Sequence, residues 1–394
     1  MRPGIRIAVA LAFAVLPAAA QDEFFEPKGS FAVEVSLDNS AYLRLPIYRN
    51  AITSLAVVGD YAVGGTSADP GLSPYLFTVS LSKRRLESAF PLERAVAGQR
   101  AIMTGFGRGK DGTLFAGTMP DRAGESGHIL SVQLKGSVPV VADLGTPVPG
   151  EGVFAMVADP ESRTLYGITH PSGKFFVFHP ADRTTDVYTQ TVPSRNARGL
   201  LHDYALKPED ALCRRLALDR EGRVYGSFPI NKLFRFDPRR KDIEVLADEL
   251  PHVWQRSALG RVDAWAVAQD GTLYGGNGGD GQLFRLDPST GRLTNLGKPA
   301  MMPRLNGLAF SSDGTLWGIT GGAPGYSHLF RYDAARGFTD LGNPQFTMTE
   351  PGIEVGILWR GFQLGSAAAS EDGRWIVLGE QEALSQLMVF PAVQ

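Results

Sequence analysis

The sequence predicts an all-β chain folded as a β-propeller of seven four-stranded blades. Three observations carry that prediction. Short apolar runs separated by glycine-marked turns recur along the chain. Counted turn to turn, the repeat spans about 43 to 59 residues, the range of a four-stranded blade. No stretch shows a helical period.

The clearest copies run from Ala264 to Gly297 and from Gly307 to Gly342. Earlier copies centre on Lys110–Thr113, Ser162–Thr164 and Arg220–Arg223, and more degenerate ones on Gly59–Tyr61 and Glu371–Arg374. If the unit around Gly59 is not a full blade, the count falls to six. The runs alternate apolar and polar residues and are rich in Phe, Tyr, Trp, Leu and Val, as half-buried strands are. Asp-Gly pairs beginning at 111, 270 and 313 suit tight hairpins, because glycine accepts the positive φ these turns demand. Asp-Pro beginning at 237 and 287 opens turns before a fourth strand.

The C-terminal unit supplies only three runs: Leu364–Ser370, Trp375–Leu378 and Leu387–Phe390. Phe31–Leu37 alternates well and has no blade of its own. It is expected to complete the last blade and close the ring, because closure removes exposed strand edges.

The chain starts with basic residues, continues through apolar Ile7–Leu16, and carries small residues at Ala18 and Ala20. This pattern predicts a signal peptide over 1–20, cleaved after Ala20. Residues 21–394 are then expected to form one propeller domain, secreted or periplasmic, monomeric, and without a membrane anchor. Cys213 is the single cysteine, so no intramolecular disulfide forms, and its apolar surroundings suit a buried small hydrophobe. A formal net charge of −2 argues against a nucleic-acid partner.

The blade pattern resembles secreted seven-bladed β-propellers over nearly the whole mature chain. In style it is most similar to the propeller-type polysaccharide lyases that cut uronic-acid polymers. That resemblance implies architecture, and as an expectation an acidic oligo- or polysaccharide partner cleaved by β-elimination.

In a propeller, inter-blade loops share one face with the loops joining the second and third strands of each blade. The sequence concentrates arginine there, and Arg offers a donor fork suited to carboxylates. Candidate substrate-binding residues are Arg195, Arg198, Arg214, His252, Arg256, Asp263, Arg304 and Asn306. Candidate catalytic residues are His170, His202 and Tyr204, since elimination needs a base for the proton beside the carboxylate and an acid for the leaving oxygen. Thr66, Thr118, Thr169, Phe228, Asn277 and Thr320 begin within-blade loops, and the Thr and Asn residues among them are expected to satisfy backbone groups. No close His pair or Cys cluster predicts a metal site, Gly275–Gly281 lacks the ending of a phosphate loop, and the sequence names no cofactor.

Two other readings stay open at this stage. One is a non-catalytic propeller that recognises a glycan or protein. The other is a calcium-dependent lactonase or hydrolase, for which Asp263 and Asn306 occupy equivalent inner positions, while Arg214 at the matching place disfavours a nearby cation.

Overall fold

The computed structural model describes residues 24–35, 51–188, 212–228, 231–253, 260–322, 326–350, 355–381 and 386–392. The expected signal peptide lies outside them. The described chain is almost entirely strand and turn, with one short 3-10 turn at Leu92–Arg94.

Seven four-stranded antiparallel units follow one another. Their innermost strands are Ile52–Val58, Gln99–Ile102 continued by Gly107–Arg108, Gly152–Ala158, Ala217–Leu218, Val262–Val267, Leu305–Phe310 and Leu364–Ala369. They define blades 1 to 7. Each inner strand packs against that of the next blade, and that of blade 7 packs against blade 1. The ring is therefore closed, as a propeller requires. The weak unit around Gly59 is a complete blade of four strands, Ile52–Val58, Tyr61–Thr66, Tyr75–Ser80 and Arg85–Pro91.

Closure occurs where the sequence places it. Phe31–Glu34 runs antiparallel to Gln386–Pro391, with Phe31 opposite Val389 and Glu34 opposite Gln386. Phe31 and Val33 are fully buried among Ile52 and Phe77 of blade 1 and Val377 and Val389 of blade 7. The outer strand of blade 6 runs on past Gly342, over Gly337–Glu350. Its second half runs parallel to the closing strand, pairing Ala32 with Met348. The Thr349 hydroxyl donates to the Ala32 and Arg84 carbonyls, at 3.1 and 2.8 Å. A Glu350 carboxylate oxygen accepts the Leu86 amide at 2.9 Å. One strand thus fastens blades 6, 7 and 1 together and covers the outer edge of the closing strand, which would otherwise be left unpaired.

A second device repeats within the blades. In five of them the third strand carries a phenylalanine whose ring lies over a glycine of the second strand: Phe77 over Gly64, Phe176 over Gly167, Phe234 over Gly226, Phe284 over Gly275 and Phe330 over Gly318. A Cβ on those glycines would stand 2.0 to 2.6 Å from the ring. All five rings are nearly inaccessible. Here glycine serves close approach and no special backbone angle.

Two outcomes test this account. Phe31→Ala should destabilise the chain by about 3–5 kcal/mol in chemical denaturation, as loss of a buried phenylalanine does, and deleting residues 21–38 should lower the thermal midpoint of the entire ring. A truncated chain melting like the intact one would remove closure as the explanation. Gly318→Ala should cost about 1–3 kcal/mol by overpacking, and Phe330→Leu in the same chain should recover part of that loss.

Candidate functional site

The inner strands begin with a repeated irregularity. In blades 1, 3, 5, 6 and 7 the register skips one residue near the strand start, leaving Thr53, Phe154, Asp263, Asn306 and Gly365 without a partner on the second strand. These are β-bulges, which re-aim a side chain and end regular pairing. In blade 2 the amides of Met103 and Thr104 both approach the Gly117 carbonyl, at 2.9 and 3.4 Å, so Met103 holds that position. In blade 4 the pairing of Ala217 with Tyr225 matches that of Ala266 with Tyr274, and counting back three residues aligns Arg214 with Asp263. The equivalence expected for Asp263, Asn306 and Arg214 holds.

Two of these positions, Asp263 and Asn306, reach the ring axis. A cavity of about 140 Å³ is lined by inner-strand residues of six blades, among them Arg215, Asp263, Trp265, Asn306 and Ser366. Only the central channel touches so many blades.

Its charged lining residues are Arg215 and Asp263, with Arg214 and Arg261 beside them. Asp263 is buried and both its oxygens lie 3.0 Å from Arg261 Nε. Arg215 reaches across the channel, donating to the Thr53 carbonyl of blade 1 at 2.8 Å and to the Arg214 carbonyl at 3.1 Å. Part of the residue meets the cavity. Burial of its guanidinium, and after that the neighbouring Arg214 charge, draws it down to about 10 from 12.5, so it stays charged at neutral pH. Arg214 is half-buried, and among the described residues its guanidinium has no hydrogen-bond or ion-pair partner. The Asn306 side chain is likewise without a partner among the described residues. Ser366 also lines it and donates to the Ile52 carbonyl, while the fully buried Ser54 donates to the Ile102 and Thr104 carbonyls.

The other candidates are placed as follows. His170 ends the second strand of blade 3, half-buried, with its ring stacked on Phe154 at 5.3 Å and 30°. Phe154 packs with Ala101, Met119 and Leu212, which stands two residues before Arg214, and Met103 joins that cluster. His170 and Leu212 therefore both adjoin Phe154. His252 is tied down: its Nδ1 lies 2.9 Å from the Leu250 carbonyl and 3.1 Å from Asn231 Nδ2. Arg304 is exposed at positive φ, and its carbonyl accepts the Thr320 hydroxyl at 2.7 Å. Arg195, Arg198, His202, Tyr204 and Arg256 lie outside the described residues.

The loop-opening residues behave as expected. Thr66 accepts the Tyr75 amide at 3.0 Å, Thr118 the His128 amide at 2.8 Å and Thr169 the Lys174 amide at 3.0 Å, while Asn277 donates to the Pro251 carbonyl at 2.9 Å. All four are fully buried. They hold strand ends and present nothing to a ligand. His128 and His328 face Asp143 and Asp340 at 3.0 Å as matching pairs of blades 2 and 6.

Sequence reasoning missed Arg215, Phe154 and Met103. Counting eight residues back from the turn places Arg215 beside Arg214, but the same count from Gly112 and Arg163 falls on Thr104 and Ala155, one residue past Met103 and Phe154. A larger cavity, about 480 Å³, opens at the opposite end of blades 5 to 7 beside Asp270, Tyr274, Phe310 and Asp372. Its carboxylates serve their own turns, Asp270 accepting the Thr272 amide and Asp372 the Arg374 amide. It offers recognition little unspent polarity. Among the described residues no group of His, Cys, Asp and Glu is arranged to hold a metal ion. For a calcium-type site the donors do not fit, because Asp263 is engaged by Arg261 and stands next to Arg214 in the ring.

Cys213 is fully buried beside this site, and burial pushes its thiol up to about 12. It is no nucleophile at neutral pH. A thiol reagent should leave it unlabelled in the native chain and label it in denaturant. Because the folded thiol titrates above the unfolded one, stability should fall as pH rises from about 9 towards 12. A Cys213→Ala chain with the same alkaline fall would assign it elsewhere.

No protein-family model and no curated protein matches the chain. Solved structures do. Streptogramin B lyase superposes with a TM-score of 0.61 at 11% identity, over 92% of this chain and 98% of that one. Virginiamycin B lyase from Staphylococcus aureus, in a catalytically inactive form with quinupristin, gives 0.60 at 11%, over 92% and 100%. The WD40 repeats of RRP9 give 0.57 at 13%, over 87% and 94%. At these identities the likeness shows the fold alone, and the chain is a β-propeller.

Proposed function

We propose that the chain binds an acidic, uronate-containing saccharide at the mouth of its central channel and cleaves it by β-elimination. The observation that carries the reading is Arg215, a charged guanidinium on the cavity lining, with Arg214 next to it in the chain. The carboxylate on that lining, Asp263, is already held by Arg261. An anion entering there meets a charged donor in a partly desolvated site, where such bonds are stronger than in water. The cavity's 140 Å³ is below the usual size of a ligand pocket. It suits one acid group, with the remaining sugars lying across the mouth.

Arginine at the carboxylate also serves the chemistry. It offsets the charge that builds on the acid group when the neighbouring proton leaves, and so lowers the barrier. In the elimination a base takes H5, its electron pair forms the C4–C5 double bond, the C4–O4 bond breaks, and the departing oxygen takes a proton. His202 and Tyr204, in the segment leading to Arg214, are the groups proposed for those transfers, with Arg195 and Arg198 as further carboxylate contacts and Arg256 on the next inter-blade segment.

A second reading, recognition without cleavage, is favoured by one observation: both described imidazoles on this face are engaged, His252 by Leu250 and Asn231, His170 by Phe154. The neighbours do not choose between the two, since a lyase and WD40 repeats share the fold. Export through the signal peptide fits either.

Polygalacturonate or another polyuronate should bind with an affinity that falls as salt rises. Arg198→Gln with Arg214→Gln should weaken binding further, and a neutral glucan should not compete. Growth of the unsaturated-uronate absorbance marks cleavage, and His202→Ala should slow it about 10²-fold or more with the fold intact. Salt-independent binding would end the anionic reading. Binding with no absorbance change would leave the recognition reading in its place.

A further inference from the structure

The cleft between blades 6 and 7 holds a cavity of about 380 Å³. That volume lies within the range of ligand pockets, about 300–1,000 Å³. Asp313, in the turn between the first two strands of blade 6, stands on its rim. The cavity therefore sits at the end of the blade away from the channel mouth.

Three parts of the chain build its walls. Trp317, Arg331 and Leu341 come from the second, third and fourth strands of blade 6, Phe390 from blade 7, and Phe25 from the N-terminal segment. Trp317 is held in place. Its indole nitrogen donates to Ser311 Oγ at 3.1 Å, and its ring meets Phe390 edge-on with 5.1 Å between centroids. Phe24–Phe25 runs parallel to the outer strand of blade 6, with Phe25 opposite Pro344. Phe25, Trp317 and Leu341 pack on the core beneath and remain half-buried.

One polar group on this lining is unspent. Asp313 Oδ1 already accepts the Ser311 hydroxyl at 2.7 Å and the Thr315 amide at 3.0 Å. Arg331 is exposed, and among the described residues its guanidinium has no hydrogen-bond or ion-pair partner. It pairs in register with Trp317, which puts cation and indole side by side on one face of the sheet.

The matching cleft between blades 2 and 3 shows what the blades alone require. There Phe115 and Ser131 pair in register as Trp317 and Arg331 do. The cation comes from the facing blade, as Arg163, and it is engaged: it lies 5.5 Å over the Phe115 ring and 3.5 Å from Asp111. The space left is about 220 Å³. An aromatic-lined cleft is thus shared by the two blade pairs, while the larger space with a free guanidinium belongs to blades 6 and 7.

We propose that this cavity binds a small amphipathic monoanion, with a flat apolar body against Trp317, Leu341 and Phe25 and one carboxylate or sulfonate on Arg331. The guanidinium supplies the fork of donors such a group takes. The Asp313 carboxylate on the same rim repels a second acid group. A polyanion is disfavoured here, and the site is separate from the channel in place and in ligand.

The test is calorimetric titration of the full chain with 2-naphthoate and with 2-naphthamide, its neutral counterpart of nearly the same shape. The acid should bind about tenfold tighter than the amide, the value of one charge-assisted contact. Arg331→Gln should bring the two ligands level. Trp317→Leu should weaken both by about 3- to 10-fold, as loss of an aromatic wall does, and thermal melts check the fold of each variant. Arg214→Gln should change neither affinity. Equal affinities for acid and amide in the wild-type chain, or a preference that survives Arg331→Gln, overturn the anion assignment. Unchanged binding in a folded Trp317→Leu chain overturns the aromatic wall. Naphthoate binding lost in Arg214→Gln puts the probe in the channel and overturns this site, whatever the fate of the uronate reading. A wild-type chain that binds neither ligand overturns the proposal outright.

Discussion

Everything in this molecule depends on closing the ring. A propeller blade is hydrophobic on both faces and stable only between neighbours. The two blades at the seam come from opposite ends of the chain, so no local interaction joins them. The pairing of Phe31–Glu34 with Gln386–Pro391 supplies the join. The outer strand of blade 6 then reinforces it by running on past its own blade to reach Ala32, Arg84 and Leu86. The channel is the by-product of that closure. Seven inner strands surround it only because the seventh meets the first, and Arg215 of blade 4 reaches the Thr53 carbonyl of blade 1 only in the closed ring.

Much of the architecture was legible because it is periodic. A Gly in the second strand and a Phe in the third recur at matching offsets, and the structure shows why both are needed: the ring lies where a Cβ would be. The closing strand was legible by counting, since one blade lacked a strand and one strand lacked a blade. The extension of Gly337–Glu350 was not. Its residues after Gly342 belong to no repeat, and their partners on the closing strand are about 315 positions away in sequence. Local pattern carries no information on such a pairing.

The candidate site was legible only in part. Polar residues near the strand starts were expected at one end of the axis, and of them Asp263 and Asn306 line the cavity there. What the sequence hid was the bulge. One skipped residue shifts which side chain faces the channel, and a shift of one changes face in a strand whose period is two. Arg214 and Asp263 were found because they are polar. Phe154 and Met103, at the same structural position, read as ordinary core residues in an apolar run.

That asymmetry bears on how a propeller acquires a function. The backbone repeats seven times and offers seven equivalent positions around the axis, but it dictates nothing about what stands there. Residues that repeat, such as the Gly–Phe pairs, are fixed by packing, which is the same problem in every blade. Residues that differ at an equivalent position answer to something outside the blade. The bulge ring is where the blades of this chain diverge most in chemistry, from methionine and phenylalanine through arginine and aspartate to glycine. Structural demand at the bulge is not the same in every blade: a Cβ on Gly365 would meet the Gln381 side chain, and Phe154 packs with Ala101, Met119 and Leu212.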